Sequence, residues 1–401
     1  MKGRTNKELL LLRIFIAIFY ANWAFIFFFI PVYLRETKNF SVGMIGTLTA
    51  VYAFLGATSQ IFIGYLSDRL KKRKQFLMVS SLMLLFIYFF IFSRLNSFIA
   101  FIFVYSLIGI FMNTLTTLSN VLIFDYSSSS GGTGRAFASI RVWGPIGFLI
   151  MMLTIGFYPQ LAEPNIMFPS ISAVFLLEFI MILLLKEPEL KSSVRTIELK
   201  DIKKFLSRFE AKSFLIFYVS YFFAMYGASS NVNLLVRHLG GSNSDISWAL
   251  AVCSITEIPT AFLWGSLADK IGRVPLLLLA SLVLPLRVFL YSLANKALDV
   301  ILIQLFTHSL TFNIIVIVSA VLINDLVSEE ERASGQGILS MVTAISQTIS
   351  ALISGNVADE VGLKGMYVFL TVIAVVSTSL AFTLLRRTHH HIPPRCIDSI
   401  Q

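Results

Sequence analysis

The stretch GYLSDRLKKRK (residues 64–74) closes an apolar run with one acid, Asp68, and five bases, Arg69, Lys71, Lys72, Arg73 and Lys74. At a distance of 201 positions, Gly64–Asp68 is echoed by Gly265-Ser-Leu-Ala-Asp269, again at the end of an apolar run. The same shift lays Ser41 on Ser242, Ile45 on Ile246, Tyr20 on Tyr221 and Gly134 on Gly335 without a gap. Any one of these matches is chance. Together they read as two copies of one unit, and the echo sets the architecture expected of everything between them.

The surrounding chain is apolar throughout. Of 401 residues, 56% are hydrophobic and 13% charged, with a mean hydropathy of +0.80. A soluble domain carries about 25% charged residues. Stretches of about 18 or more apolar residues recur, each long enough to cross a ~30 Å hydrocarbon core as a helix. In lipid a helix satisfies its own backbone hydrogen bonds, and the alternating segments of a membrane β-barrel are absent. The reading is an all-α membrane protein of twelve transmembrane helices, in two six-helix pseudo-repeats around a central cavity. The spans fall roughly at 9–34, 42–64, 76–93, 97–123, 138–158, 167–185, 213–236, 244–265, 275–293, 299–325, 335–356 and 365–385. The first run is too long for a cleavable signal, and Pro31-Val-Tyr-Leu-Arg-Glu follows it rather than small residues.

The expected organisation is an N-terminal bundle (1–185), a cytoplasmic linker (186–212), a C-terminal bundle (213–385) and a cytoplasmic tail (386–401). Within the linker, DIKKFLSRF (201–209) sets Ile202, Phe205, Leu206 and Phe209 on one helical face, as an interfacial helix would. Of the 32 Lys and Arg residues, 24 fall at the termini and even-numbered loops, six in the odd-numbered loops and two inside spans. That bias predicts cytoplasmic termini in a plasma (cell inner) membrane protein. It also explains the net charge of +10 without nucleic acid. The expected partners are the bilayer, a small-molecule substrate and a proton, and a monomer is expected. Cys253 and Cys396 suggest no disulfide framework. No nucleotide-binding loop appears, so no cofactor is expected. SSSSGGTG (127–134) reads as a flexible connection and THHHIPPRC (388–396) as tail rather than metal site.

Twelve spans, a long central loop and the doubled G-x-L-S/A-D motif resemble the major facilitator superfamily over about residues 9–385. The first copy departs from the family pattern, with Lys71 standing where the second has Gly272. The resemblance implies two bundles that rock about a midplane site. Gly64, Asp68, Arg69, Gly265, Asp269 and Arg273 are the expected cytoplasmic gate. An acid at a helix C-terminus opposes the helix dipole, so each aspartate calls for a partner such as a helix N-terminus of the other half.

A charge at the midplane costs at least about 2.5–3.5 kcal/mol, which makes each one a site candidate. The spans contain Arg141, Glu178, Glu257, Arg287 and His308, with Asp125 and Asp325 at the cytoplasmic ends of spans 4 and 10. Arg141 offers a fork of donors, and Trp143 and Phe148 flat faces for a sugar ring or nucleobase. SIRVWGPIGF (139–148) is similar to span 5 of the sugar and nucleoside symporter branch, which implies an arginine on substrate hydroxyls and an aromatic stacked on the ring. Asn22, Trp23, Tyr226, Asn231 and Gln304 are further candidate cavity residues. TEIPTAFLWGSLADKIGR (256–273) and residues 286–312 resemble the same branch, and carry Glu257, Arg287 and His308 as a candidate proton-coupling group. That branch has an acid where Thr311 stands here, so the proton carrier is left between Glu257 and Asp125, or coupling is absent. Glu178 lies among Leu and Phe and is not expected to act. The function read from this is proton-coupled alternating-access transport of a small organic solute of the sugar or nucleoside class. The alternatives are efflux of amphipathic compounds and, more distantly, a sensor. Without a nucleophile–base pair or metal cluster in the spans, an enzyme is not expected.

Overall fold

The computed structural model describes residues 6–70, 72–128, 139–186, 207–327 and 332–385. Among them, eleven helices are long and apolar enough to cross a membrane. Ten cross once: α1 (Lys7–Glu36), α2 (Val42–Leu70), α3 (Arg73–Arg94), α4 (Phe98–Ser128), α5 (Ser139–Phe157), α6 (Pro164–Leu184), α7 (Phe209–Ser230), α8 (Asn243–Ile271), α9 (Arg273–Leu293) and α10 (Ala297–Leu326). The eleventh, Gly335–Leu385, has 51 residues, about twice what a bilayer needs. Gly362 breaks it with φ 78° and ψ 167°, a conformation open to glycine, and so divides it into α11 (332–361) and α12 (363–385). The chain therefore crosses twelve times, as its apolar periodicity predicts. An even number returns it to the side from which it started, here called the terminal face.

One boundary differs from expectation. Span 7 is not continuous to residue 236: α7 stops at Ser230, Asn231 leaves helical geometry, and a short helix Val232–His238 follows. The interfacial helix expected at 201–209 lies almost entirely outside the described residues, and Phe209 begins α7. The sequences 127–134 and 388–396 likewise fall outside them, except for the backbone of residues 127 and 128.

The loop that opened the sequence reading also resolves. In the second copy α8 ends at Ile271, Gly272 turns the chain with φ 92°, and α9 starts at Arg273. In the first copy α2 ends at Leu70 and α3 starts at Arg73, so two residues do the work of one. Lys72, with φ −127°, holds the place of Gly272, and Lys71 is the added residue, itself outside the described ones. Lys72, unlike Gly272, has a negative φ and so does not call for glycine. Gly272→Ala is accordingly expected to destabilise by about 1–3 kcal/mol. Lys72→Ala should stay within about 0.5 kcal/mol. Thermal unfolding of the two purified variants checks the contrast.

The two halves meet along α2 with α11 and α5 with α8. Small residues permit the approach: a Cβ on Gly46 would stand 2.3 Å from the Ala351 carbonyl oxygen, and one on Gly355 would stand 2.8 Å from that of Val42. The Gly43 N–H donates to Asp359 Oδ2 at 2.9 Å, so the end of α11 caps the start of α2. Asn233 Nδ2 donates to the Phe28 carbonyl at 2.6 Å, Ser244 Oγ to that of Gly156 at 2.7 Å, and Arg237 pairs with Glu36 at 2.8 Å. All of these lie away from the terminal face. Toward the terminal face, Phe62 on α2 is 73% exposed and Phe262 on α8 71%, and a Cβ on Gly265 would meet nothing within 4 Å. Among the described residues, the side-chain contacts that join the halves lie on the outer side.

Candidate functional site

The densest buried polar group lies between α8, α9 and α10. Arg287 on α9 is 1% exposed. Its Nε donates to Tyr291 Oη at 3.0 Å, Nη1 to Thr311 Oγ1 at 2.6 Å and Nη2 to Gln304 Oε1 at 2.5 Å. Tyr291 Oη also donates to Gln304 Oε1 at 2.9 Å. Thr311, standing where the resembling branch has an acid, thus accepts from the guanidinium directly and donates its own hydroxyl hydrogen bond to the Thr307 carbonyl at 2.8 Å. The sequence leaves Tyr291 unread, although its spacing of four residues from Arg287 sets both on one helix face. Gln304, a candidate substrate ligand by sequence, is placed as a ligand of Arg287.

His308 joins this group to Glu257. Its Nδ1 lies 3.4 Å from Arg287 Nη2 and its Nε2 3.7 Å from Glu257 Oε2. Because Arg287 Nη2 can only donate, Nδ1 is the acceptor of that contact, and Nε2 faces Glu257 beyond hydrogen-bond distance, without a hydrogen-bond partner among the described residues. The Glu257 side chain is 27% exposed, so the acid is the reachable end of the group.

A π-helical turn, Ser309–Asn313, follows His308 and places its ring flat on Phe312, 5.1 Å between centroids. Hydroxyls and amides pin that turn to α8. Trp264 Nε1 donates to Ser309 Oγ at 2.8 Å, Ser309 Oγ to Thr260 Oγ1 at 2.5 Å, and Asn313 Nδ2 to the Glu257 carbonyl at 2.9 Å. These contacts fix the histidine relative to the acid, and no local sequence signal announces them.

In the other half, Arg141 on α5 lays its guanidinium over the Tyr20 ring, 4.6 Å from its centre, a contact worth about 0.5–2 kcal/mol. Gly144 makes room: a Cβ there would stand 2.8 Å from Arg141 Nη1 and 2.9 Å from Tyr20 Cδ2. Tyr20 continues into an aromatic row, with Trp23 at 4.7 Å, Phe27 5.0 Å beyond it and Tyr52 at 5.5 Å from Phe27. The Trp23 Nε1 hydrogen is buried without an acceptor among the described residues. Phe148 meets Phe28 edge-on at 5.9 Å, and Trp143 is half-buried against the apolar core. Tyr226 is also half-buried. Asn22 is fully buried and donates toward the Ile171 carbonyl of α6 at 3.4 Å. Asn231 donates to the Gly227 carbonyl at 2.9 Å, within the break after α7.

At the terminal face the two halves repeat one charge pattern. Arg73 pairs with Asp125 at 3.0 Å, and Arg273 with Asp325 at 2.9 Å. The spacing between the copies is 200 rather than 201, because of the extra residue after Asp68. Asp125 therefore sits at the end of α4, in the half opposite Glu257 and His308. Arg273 also reaches Asp269 at 3.1 Å, with Asp269 69% exposed. Arg69 is exposed and Gly265 faces open space. The backbone of Gly64 and Asp68 is helical, and the Asp68 side chain lies outside the described residues. Glu178 is fully buried on α6, with no hydrogen-bond partner on either carboxylate oxygen among the described residues.

Comparison with known proteins agrees with this layout. A family model described as the MFS_1 like family matches residues 9–382. The maltose permease of Geobacillus stearothermophilus is 20% identical over 386 residues, covering 96% of each chain. A multidrug resistance protein, MdtL of Shewanella oneidensis, is 23% identical over 155 residues, 39% of each chain. Among solved structures, the nucleoside transporter NupG superposes with a TM-score of 0.79 at 16% identity, covering 95% of this chain and 99% of that one. At such identities the structural likeness speaks for the fold alone.

Proposed function

The chain belongs to the MFS_1 like family and is a transporter of the major facilitator type, not an enzyme, and from that premise we propose proton-coupled movement of a small organic solute of the sugar or nucleoside class. The observation that carries the reading is the Glu257–His308–Arg287 group, in which a reachable acid faces a histidine that contacts a buried cation. His308 Nδ1 is committed to Arg287, so an incoming proton is taken by the Glu257 carboxylate. Neutralising Glu257 releases its hold on His308, and rocking of the halves then changes the surroundings of Arg287. The charge bias makes the terminal face cytoplasmic, so the state described is open to the cytoplasm. In the opposite state, Asp68 and Asp269 would close that face against the other half, as Asp359 closes the outer one. The protein is read as a plasma-membrane monomer. Arg141, Trp143, Phe148, Trp23 and Tyr226 are proposed to face the solute, with Asn22 and Asn231 shaping the helices behind them.

Glu257→Gln tests the coupling. In proteoliposomes it is expected to keep solute counterflow within about threefold of wild type and to lose accumulation driven by an imposed pH gradient. Unchanged gradient-driven accumulation would remove Glu257 from the proton path. The aromatic row from Tyr20 to Tyr52 favours a second reading, efflux of amphipathic compounds, for which drug-dependent proton release is the distinguishing signal.

A further inference from the structure

Two bases of the 64–74 stretch have no counterpart in the second copy. At a distance of 200 positions Arg73 recurs as Arg273, but Lys72 falls on Gly272 and Lys74 on Val274. The second copy makes its turn and its arginine–aspartate pair without them. Neither the turn nor the pair therefore calls for these lysines. Orientation in the membrane asks for positive charge on this face, but not for its gathering at one place.

The lysines do gather, where α1, α3 and α6 converge at the terminal face. α3 lies along α6: Ser81 Oγ donates to the Phe175 carbonyl at 2.8 Å, and Lys74 Nζ to the carbonyls of Leu183 and Leu185 at 2.8 and 2.7 Å. Lys186 is the next residue, 82% exposed, with its Nζ 3.0 Å from Glu8 Oε1 at the start of α1. Lys7 directly precedes Glu8. Lys7 and Lys72 are exposed, and neither has an acid within ion-pair distance among the described residues.

This charge is not cancelled locally. The carbonyls of α6 accept the hydrogen bonds of Lys74 but carry no net charge. Glu8 is one acid beside four lysines, and its pair with so exposed a partner is screened by water. Adding the sequence neighbours outside the described residues, Lys71, Glu187 and Glu189, still leaves two more bases than acids. Beside the charge the surface is apolar: Val79, Met83 and Phe86 on α3 and Ile180, Leu183 and Leu184 on α6 are all exposed. Cations at the end of an apolar two-helix face match a molecule with an anionic head and hydrocarbon tails. Phosphate oxygens accept charge-assisted hydrogen bonds from ammonium groups, and basic clusters at the ends of membrane helices attract anionic headgroups.

We propose that the junction of α1, α3 and α6 at the terminal face binds one anionic phospholipid, with its phosphate among Lys7, Lys72, Lys74 and Lys186 and its acyl chains along α3 and α6. The site shares no residue with the proposed solute pathway and does not depend on what is transported. All three helices belong to the N-terminal half, so the bound lipid tethers that half alone.

Lipid titration tests this. Purified full-length protein in detergent micelles is melted while phosphatidylglycerol or phosphatidylcholine is added. The expected result is stabilisation by phosphatidylglycerol at about 25-fold lower concentration, about fivefold for each of the two unpaired lysines. Lys7→Gln/Lys72→Gln should bring the two lipids within about threefold of one another. Lys212→Gln/Lys270→Gln removes the same charge from exposed positions on the same face of the other half, and should leave the preference intact. Lys74 stays in place because it also caps α6. Equal effects of the two lipids, a preference that survives in Lys7→Gln/Lys72→Gln, or an equal loss in both double variants overturns the inference. sn-Glycerol 3-phosphate, the headgroup phosphate without its chains, should shift nothing at the same concentrations. A shift as large as the lipid's, lost in Lys7→Gln/Lys72→Gln, would make this a site for a soluble phosphate and overturn the lipid assignment. None of these outcomes touches the transport reading, which solute counterflow decides separately.

Discussion

Arg287→Leu abolishes solute accumulation and lowers the melting temperature of the purified protein. This is the largest single effect expected in the chain. The side chain it removes is 1% exposed and makes three hydrogen bonds, to Tyr291, Thr311 and Gln304. Each acceptor left without its donor in the interior costs about 1–3 kcal/mol, partly recovered where Tyr291 and Gln304 still bond to one another. A net loss of about 2–4 kcal/mol follows. Function suffers for a second reason: His308 Nδ1 loses the cation that keeps it an acceptor, so the ring can take the proton meant for Glu257. Arg287→Lys keeps the charge but cannot span three acceptors at fixed angles, and is expected to fold and transport poorly. Melting curves in detergent and uptake in proteoliposomes read the two losses separately. Wild-type uptake by Arg287→Leu would mean that the buried cation has no part in the cycle.

Gly46→Val is the second large effect, and it acts on one state only. A Cβ at this position would meet the Ala351 carbonyl oxygen at 2.3 Å and the Gly355 Cα at 3.2 Å. Both are backbone atoms on α11 and cannot swing aside. Overpacking of this kind costs about 1–3 kcal/mol. Here it is charged to the outer-sealed arrangement alone, which amounts to a shift of about 5- to 150-fold toward the outer-open state. The expected phenotype is solute binding from outside with little release inside, and a melting temperature near that of wild type. Alkylation of a cysteine placed at Lys364 checks the shift, and should be faster in Gly46→Val than in the parent. Equal rates would show that α2 and α11 do not need to touch there.

What the sequence disclosed follows from the range over which its signals act. Membrane spans are a matter of length and apolarity, so their number could be read directly, including the crossing that Gly362 separates from its neighbour. The doubled motif marked the two halves because its Gly, Leu and Asp repeat at one spacing, shared by four further matches. The same constant spacing concealed the Arg73–Asp125 and Arg273–Asp325 pairs, since these residues are related by 200 positions rather than 201. A helix also presents several faces, and composition cannot say which one looks inward. Asn22 lies in the most aromatic stretch of α1, one residue from Trp23 and two from Tyr20, yet is turned to α6. Arg287, Gln304 and Thr311 meet only because α9 and α10 pack side by side, a contact with no local signature beyond the apolar cost that made the arginine conspicuous.

The central claim is that two halves, sealed on the outer face here, exchange that seal for one on the terminal face. Spin labels at Phe62 and Met341 report the distance between α2 and α11 toward the terminal face, and labels at Lys38 and Lys364 report the outer one. Pulsed electron resonance of both pairs in lipid, with and without solute at acidic pH, is the most direct measurement. The account predicts that a population appears with a shorter terminal-face distance and a longer outer distance, the two changing in opposite directions. Distances that stay fixed, or that lengthen or shorten together, would contradict it.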